Sequence, residues 1–367
     1  LEVFFGKYEF TAPYLLAQSD CETMTVRELL AGFPDGAGQL LNQRLGYTEV
    51  PGSPVLRDAI ANLYEKMSRE NILVHAGAQE PIFNFANVLL SPKDHVICQF
   101  PVYQSLYEVA SAIGCEVSRW SLLQAENGWT ADLDELKTLI RPETKLICIN
   151  SPNNPTGYAF TAEQMKQIAE MARKHGIYVF CDEVYKGVEL DGQKRPWFAD
   201  IYEKGVSLGV MSKAYGLAGL RIGWVASQDL KLLSAMTRMK HYTSICCSST
   251  SEYLAILALK QGEQILDRNR KRIEANKALA DDLFARNPDL FQNNMPMAGP
   301  IAFHRMNIDE PIEIFCDRMV EEAGLLLLPG NVFEYPGSYF RIGYGRADFP
   351  GNLERFETYL RKKGFIF

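Results

Sequence analysis

The stretch MSKAYGLAGLRIGW at residues 211–224 places one lysine, Lys213, eight residues before one arginine, Arg221. The apolar run at 206–211 that leads into it is typical of a buried strand. An ammonium at a buried strand end is costly unless chemistry requires it. A desolvated lysine loses its proton readily and forms a Schiff base with a carbonyl, and a nearby arginine binds an anion. The stretch therefore predicts a ligand with an aldehyde and a phosphate, and pyridoxal phosphate is such a cofactor.

Size and charge limit the class of protein. The chain has 367 residues, and at about 150 residues per domain this length predicts about two domains. Hydrophobic residues make up 47% of the chain, which is enough for a sizeable core. The formal net charge of −7 argues against a nucleic-acid or membrane-surface partner. The apolar runs are too short to cross a bilayer, so we expect no membrane partner.

Cysteine and histidine usage predicts a cytoplasmic protein without a structural or catalytic metal. None of the eight cysteines forms a C-x-x-C pair, and we expect a reducing compartment without disulfides. The five histidines show no metal-ligand spacing. The first ten residues mix charges with aromatic rings and do not resemble a signal peptide.

Alternating helix and strand patterns between about residues 53 and 226 predict a doubly wound, mostly parallel α/β sheet. After Asp229 the texture changes to long helical stretches and then to a short α+β piece. We predict a large α/β domain over residues 40–250 and a smaller α+β domain formed by 1–39 and 251–367. The expected strands are 72–75, 96–100, 116–120, 146–150, 177–181, 207–211, 222–226, 301–305 and 339–344. The expected helices begin at Ser53 and cover 79–90, 103–113, 133–140, 161–175, about 230–286 and 312–323.

Polar motifs follow several of these strands, at the sheet edge where ligands bind in open α/β folds. Gly77-Ala78-Gln79 opens a helix, whose free N–H groups suit a phosphate, although an ordinary strand-to-helix turn fits equally well. The run SPNNPTG at 151–157 presents Asn154 on a backbone stiffened by two prolines, or it forms a simple turn.

Charged residues in apolar strands strengthen the prediction of a site. Asp182 of DEVY (182–185) would hold a pyridinium nitrogen, which keeps the ring an electron sink, and Tyr185 would donate to the ring's phenolic oxygen. A solvated strand end is the alternative. Tyr103 would stack on a flat ring or pack in the core. Arg341, inside the apolar run YFRIG, would bind a carboxylate or form a structural ion pair.

Taken together, SPNNPTG, DEVY and SKAYGLAGLRIG resemble the fold-type I, class I/II aminotransferases over nearly the whole chain. The resemblance implies a pyridoxal-phosphate enzyme that moves an amino group from an L-amino acid to a 2-oxo acid by a ping-pong mechanism. It implies that Lys213 forms the Schiff base and shuttles the proton. The other implied roles are Asp182 at the pyridine nitrogen, Asn154 and Tyr185 at the O3′ oxygen, Tyr103 stacked on the ring, Ala78, Gln79, Ser212 and Arg221 at the phosphate, and Arg341 with Asn154 at the substrate carboxylate.

The resemblance also implies a homodimer, since LGYTEVPG (45–52) resembles the segment whose tyrosine, here Tyr47, reaches the phosphate of the neighbouring subunit. Two features depart from the family. Val210 stands where many members carry a phosphate-binding hydroxyl, which leaves Ser212 to compensate. The aromatic-rich segment 4–16 does not match common members and is a candidate for shaping the substrate pocket.

Reaction outcome and substrate stay open at this point. Elimination, cyclisation and racemisation begin on the same fold, and a cofactor-sensing regulatory domain would require a DNA-binding module that this acidic chain has no room for. Arg44 and Arg238 are candidates, by location alone, for binding a side-chain carboxylate. An apolar or aromatic substrate would instead suit Trp129, Trp197 or the cluster Phe4, Phe5 and Tyr8, although scattered aromatic residues more often belong to a core.

Overall fold

A computed structural model describes residues 1–126 and 128–367. Its main feature is an eight-stranded sheet that carries the predicted motifs. The strands in chain order are β1 (Tyr14–Leu15), β2 (Ile72–His75), β3 (His95–Phe100), β4 (Glu116–Ala125), β5 (Gly128–Ala131), β6 (Thr144–Asn150), β7 (Tyr178–Asp182), β8 (Gly205–Val210), β9 (Gly223–Ser227), β10 (Phe291–Gln292), β11 (Ile301–Met306), β12 (Leu325–Leu326), β13 (Leu328–Pro329) and β14 (Tyr339–Gly343).

The large sheet has the strand order β2-β9-β8-β7-β6-β3-β4-β5. The five strands from β8 to β4 run parallel, whereas β9 is antiparallel to both its neighbours and β5 is antiparallel to β4. β2, β3, β8 and β9 are buried along their whole length because helices cover both faces of the sheet. The prediction of a doubly wound, mostly parallel α/β sheet is confirmed.

The helices begin and end at signals that the sequence carries. Thr161 and Gln164 form a complete capping box, and Gly176 ends the same helix in a left-handed conformation with φ +69°. The α-helices are α1 (Glu2–Tyr8), α2 (Val26–Leu30), α3 (Gly36–Leu41), α4 (Pro54–Ala61), α5 (Gln79–Leu89), α6 (Ser105–Ile113), α7 (Leu133–Leu139), α8 (Ala162–His175), α9 (Phe198–Ile201), α10 (Leu230–Lys240), α11 (Ser249–Lys260), α12 (Gly262–Ala285), α13 (Ile312–Ala323) and α14 (Phe349–Lys362).

A smaller antiparallel sheet, with the order β10-β11-β14-β13, carries Arg341. In its register Phe303 of β11 lies opposite Arg341 of β14. The N-terminal segment joins this part of the chain, because Tyr14 and Leu15 pair in parallel with β12. This contact agrees with the expected packing of the N-terminus, while the domain boundaries at about residues 40 and 250 stay a prediction.

Several elements differ from the sequence prediction. The helix that begins after Ser53 ends at Ala61 rather than near residue 67, and the helical stretch 230–286 is divided among α10, α11 and α12. Helix α14 was not predicted, since Pro350 and Gly351 interrupt its pattern, although proline is favourable in a first turn. Strand β5 and helix α1 are also additions. Among the described residues, no helix combines the length and apolar character that crossing a membrane requires.

Candidate active site

A cavity of about 470 Å³ lies at the carboxyl ends of the parallel strands of the large sheet. Asn150 and Asp182 are paired neighbours at this edge, and Asp182 is in turn paired with Leu208 of β8. The predicted site residues come from segments far apart in sequence because adjacent strands end together here. Those that line the cavity are Ala78, Gln79, Tyr103, Asn154, Asp182, Tyr185, Ser212, Lys213, Arg221 and Arg341.

Lys213 follows the end of β8 and presents its amine to the cavity. Its Nζ donates a hydrogen bond of 2.9 Å to the Ser19 hydroxyl. Burial lowers the pKa of this amine below its usual range, although the nearby Asp20 carboxylate works in the opposite direction. Lys213 therefore loses its proton more readily than a surface lysine, as a nucleophile or a base must.

Asp182 is the last residue of β7 and is 4% exposed. One carboxylate oxygen accepts a hydrogen bond of 3.2 Å from the Val184 N–H, and within the described part of the chain Asp182 makes no ion pair. Burial raises the pKa of Asp182 to about 7. A cationic partner in the cavity would reverse this shift and keep the carboxylate ionised, which fits a protonated pyridine ring.

Arg341 is fully buried in β14 and reaches the cavity from the smaller sheet. Its guanidinium donates to the Asn154 side-chain oxygen at 2.9 Å and to the Ala17 carbonyl at 2.5 Å. In residues 1–126 and 128–367 its Nε has no hydrogen-bond partner and no carboxylate forms an ion pair with it. Burial lowers the pKa of Arg341 to about 10. A buried guanidinium without a protein anion is a receptor for a ligand carboxylate.

The end of the cavity near α5 fits a phosphate. The N-cap residue Ala78 makes no side-chain capping bond, so the first N–H groups of this helix are available to an anion. The Arg221 guanidinium lies over Gly77, where a Cβ atom would come within 2.2 Å of Nη2. Its other terminal nitrogen is 3.4 Å from the Ser212 hydroxyl. Val210 also lines the cavity without a hydroxyl, so the hydroxyl at this end is that of Ser212.

The two predicted tyrosines lie on different walls. Tyr185 is 1% exposed, and burial raises the pKa of its phenol, which keeps it a hydrogen-bond donor. Tyr103 lines the cavity, and its hydroxyl donates to the Glu2 carboxylate at 2.9 Å. The structure thus brings together the residues whose roles the family resemblance implied, except for Tyr47, which is 91% exposed and does not line the cavity.

Part of the lining was not predicted. Glu2, Phe5 and Glu9 come from α1, and the segment 18–20 follows β1. Phe5 is a member of the aromatic segment that was a candidate for shaping the pocket. No local pattern singled out the others, because their position depends on the pairing of β1 with a strand more than 300 residues away.

The other substrate-binding candidates from the sequence do not reach the cavity. Arg44 and Arg238 are exposed side chains elsewhere on the surface. Trp129 packs against the ring of Phe303 at 6.0 Å, and Trp197 packs against Tyr64 at 4.6 Å. Trp129 belongs to the core and Trp197 is partly buried against it, and neither lines the cavity.

The chain matches the family model described as aminotransferase class I and II over residues 13–349. The chain belongs to this family. A PLP-dependent aminotransferase from Streptococcus suis has a similar structure, with a TM-score of 0.93 and 34% identity over 98% of this chain and 96% of that one. Capreomycidine synthase of Streptomyces vinaceus is 26% identical over 94% of this chain and 88% of its own. Aspartate aminotransferase of Thermotoga maritima is 27% identical over 86% and 84%.

The protein is therefore an aminotransferase with pyridoxal phosphate as its cofactor, and its substrates are an amino acid and a 2-oxo acid in ping-pong exchange. The cavity fits this cofactor on observations of its own. It offers an amine of lowered pKa at Lys213, a buried carboxylate without a cation at Asp182, and an anion cradle at Arg221 and the start of α5.

Proposed function

We propose that transamination takes place in this cavity and that Lys213, Asp182 and Arg341 each have a separate role in it. Arg341 binds the α-carboxylate of the amino acid, and its bond to Asn154 fixes the orientation of the guanidinium. Lys213 removes the proton from the α-carbon and returns a proton to the cofactor side. Ser19, which accepts a hydrogen bond from Nζ, holds the amine in place between these transfers.

The remaining residues hold the cofactor. Bound pyridoxal phosphate supplies an electron-accepting ring that stabilises negative charge at the α-carbon. Asp182 holds the pyridine nitrogen in its protonated form, while Tyr185 and Asn154 donate to the ring oxygen and Tyr103 covers the ring face. The phosphate is held by the N–H groups of Ala78 and Gln79, the hydroxyl of Ser212 and the guanidinium of Arg221.

The buried, unpaired guanidinium of Arg341 carries the proposal. A fully buried arginine without a carboxylate partner is costly for folding, so its presence on the cavity wall calls for an anionic ligand. The α-carboxylate is the group that all amino acids and 2-oxo acids share. Its position in the same cavity as Lys213 supports a substrate bound with its α-carbon within reach of the amine.

We propose further that two chains form a homodimer in which Tyr47 contacts the phosphate site of the partner subunit. Tyr47 is 91% exposed, and Leu41, Leu45 and Tyr242 are similarly exposed apolar side chains. Hydrogen bonds from Thr48 to the Cys247 carbonyl and from Ser249 to the Arg44 carbonyl hold segment 44–48 beside segment 247–249. A second copy would cover this apolar surface.

A stoichiometric assay without an acceptor tests the proposal. Holoenzyme is mixed with a panel of L-amino acids, and the released 2-oxo acid is measured. We expect one equivalent of 2-oxo acid per active site, followed by turnover when a 2-oxo acid acceptor is added. Continuous product formation without an acceptor would contradict transamination. Analytical ultracentrifugation of the wild type, at concentrations around those of the assay, checks the dimer.

Cyclisation is a second candidate outcome, favoured by one observation. Capreomycidine synthase, whose name denotes a different product, is similar over most of this chain. A cyclase, a lyase or a racemase would use the same Lys213 amine and Asp182 carboxylate but would need no oxo-acid acceptor. Mass spectrometry and an ammonia assay of the acceptor-free reaction distinguish cyclisation and elimination from transamination, and chiral chromatography detects racemisation, which leaves the mass unchanged.

The proposed location is the cytoplasm. All the described cysteines carry free thiols, and Cys98 and Cys148 lie opposite each other in the sheet without a disulfide between them. Free thiols at this density suit a reducing compartment. Fractionation of the producing cells, with the protein detected by antibody, tests this location.

A further inference from the structure

The part of the cavity lining that comes from the N-terminal segment carries three carboxylates, Glu2 and Glu9 from α1 and Asp20 after β1. We propose that this acidic wall, defined by these three residues, selects amino donors whose side chain ends in a cation, an ammonium or a guanidinium. The inference deepens the proposed function and rests on it, since it names the substrate class of the same cavity.

In the proposed function, each charged side chain of the cavity outside the acidic wall has a group of the substrate or the cofactor to bind. Arg341 takes the substrate carboxylate, Arg221 the phosphate and Asp182 the ring nitrogen. Asp20 is paired with Arg346 through a contact of 2.9 Å. Glu2 accepts a neutral hydrogen bond from the Tyr103 hydroxyl. Glu2 and Glu9 form no ion pair within the described part of the chain, and Lys213 and Arg341 interact with both carboxylates only at longer range.

Glu9 is the clearest case. It is half-buried, and among residues 1–126 and 128–367 it has neither a hydrogen-bond donor nor an ion-pair partner. Burial, together with the carboxylates of Asp20 and Glu2, raises the pKa of Glu9. Like charges placed together in a partly desolvated site repel each other, and a ligand cation would relieve that repulsion.

A second observation, independent of the three acids, indicates how the proposed substrate would be oriented in this cavity. Arg341 is fully buried and unpaired by any described carboxylate, so it anchors the α-carboxylate at one side. The guanidinium lies 5.6 Å from the ring of Phe5, which belongs to the same helix as Glu2 and Glu9. A substrate anchored at Arg341 therefore has its side chain close to α1 and its acids.

An acidic or apolar side chain fits this wall less well. Arg221 and Arg341 are the arginines among the described lining residues, and both already have an anion to bind. A substrate carboxylate would meet Glu2 and Glu9 with like charge. An aliphatic side chain would leave the half-buried Glu9 carboxylate without a cation, so its desolvation would not be offset.

Donor competition tests the inference. Holoenzyme is assayed with arginine, ornithine and lysine against norleucine, methionine and glutamate, with one fixed 2-oxo acid acceptor. We expect kcat/KM to be at least about tenfold higher for the best cationic donor than for norleucine, since hydrogen bonds between two charged groups are stronger than those between neutral groups. In Glu9→Gln this ratio should fall about tenfold, and in the Glu2→Gln/Glu9→Gln double variant it should fall further. Glu263→Gln, an exposed acid of α12 outside the cavity, should keep the wild-type ratio.

A binding measurement separates this inference from the proposed function. Isothermal titration calorimetry of holoenzyme compares 5-guanidinopentanoate with heptanoate, which both carry a carboxylate for Arg341 but lack the α-amino group. Tighter binding of the guanidino acid, lost in Glu9→Gln, supports the acidic wall even if no donor transaminates. Equal binding of the two acids, or a wild-type preference for norleucine or glutamate, would overturn it. Absence of transamination with all six donors would instead count against the proposed function.

Discussion

The two walls of the cavity are built in different ways. The sheet-edge wall, with Asp182 and Lys213, follows directly from strands whose ends meet at one edge. The acidic wall, with Glu2 and Glu9 of α1, depends on contacts between residues far apart in sequence, such as the 2.6 Å hydrogen bond from Tyr8 to Asp317. The proposed catalytic groups therefore lie on the large sheet, whereas the acids proposed to select the substrate lie on a short N-terminal segment outside that sheet.

The largest effect is expected at Lys213. Lys213→Ala removes the amine that moves the proton, so kcat should fall at least about 10³-fold for every donor. Initial rates with a saturating donor and acceptor measure this loss. Lys362→Ala, at the exposed end of α14, is the matched control and should keep full activity. Substantial activity in Lys213→Ala would show that the base lies elsewhere, and the functional contrast between the walls would be lost.

A smaller but still donor-independent effect is expected at Arg341. Arg341→Lys keeps the charge but loses the planar fork that matches a carboxylate, so kcat/KM should fall about tenfold to 100-fold for cationic and neutral donors alike. Steady-state kinetics with arginine and norleucine measure both values. Arg305→Lys, exposed on the adjacent strand β11, is the control. A loss confined to one class of donor would show that Arg341 binds the side chain of the amino donor instead of its α-carboxylate.

The buried carboxyl of Asp182 should make the free energy of unfolding of the cofactor-free protein depend on pH. Its native pKa of about 7 lies above the usual value, so the native state holds this proton more tightly than the unfolded state. The stability that Asp182 contributes is therefore present below about pH 4 and falls as pH rises to about 7. Asp182→Asn cannot ionise, so its Tm relative to wild type should increase by about 2 °C or more between pH 4 and 8. Calorimetric scans of both proteins across this range measure the difference, and a constant difference would contradict the native pKa.

The smallest effect on activity is expected at Phe5, which belongs to the same helix, α1, as Glu2 and Glu9 of the acidic wall. Phe5→Leu removes the ring 5.6 Å from the Arg341 guanidinium, a contact that contributes about 0.5–1 kcal/mol at partly exposed sites. KM should rise about two- to fivefold while kcat changes little. Phe10→Leu, a 90% exposed ring of the same segment, is the control. A fall in kcat comparable to that of Arg341→Lys would mean that α1 takes part in holding the reacting groups.

Much of the fold could be predicted because its strands are short apolar runs that end in turn residues and polar motifs. Thr161 and Gln164 marked the start of α8 correctly, and Ile72–His75 matched the predicted strand without change. The elements that escaped prediction had weak local signals. Helix α14 begins at a Pro-Gly pair, and β5 has four residues that are stabilised by pairing with β4.

The chemical groups of the sheet-edge wall could be predicted from local sequence patterns. In a parallel sheet, the residues that follow each strand lie at the same edge. The motifs DEVY and SKAYGLAGLRIG therefore predicted that Asp182 and Lys213 would line one cavity. Tertiary structure decided the rest. The bond between Arg341 and Asn154 joins a strand of the smaller sheet to the turn after β6 of the large sheet, and the place of Glu2 and Glu9 depends on β1 pairing with β12. No local pattern specifies such contacts, because they result from the packing of elements that lie hundreds of residues apart.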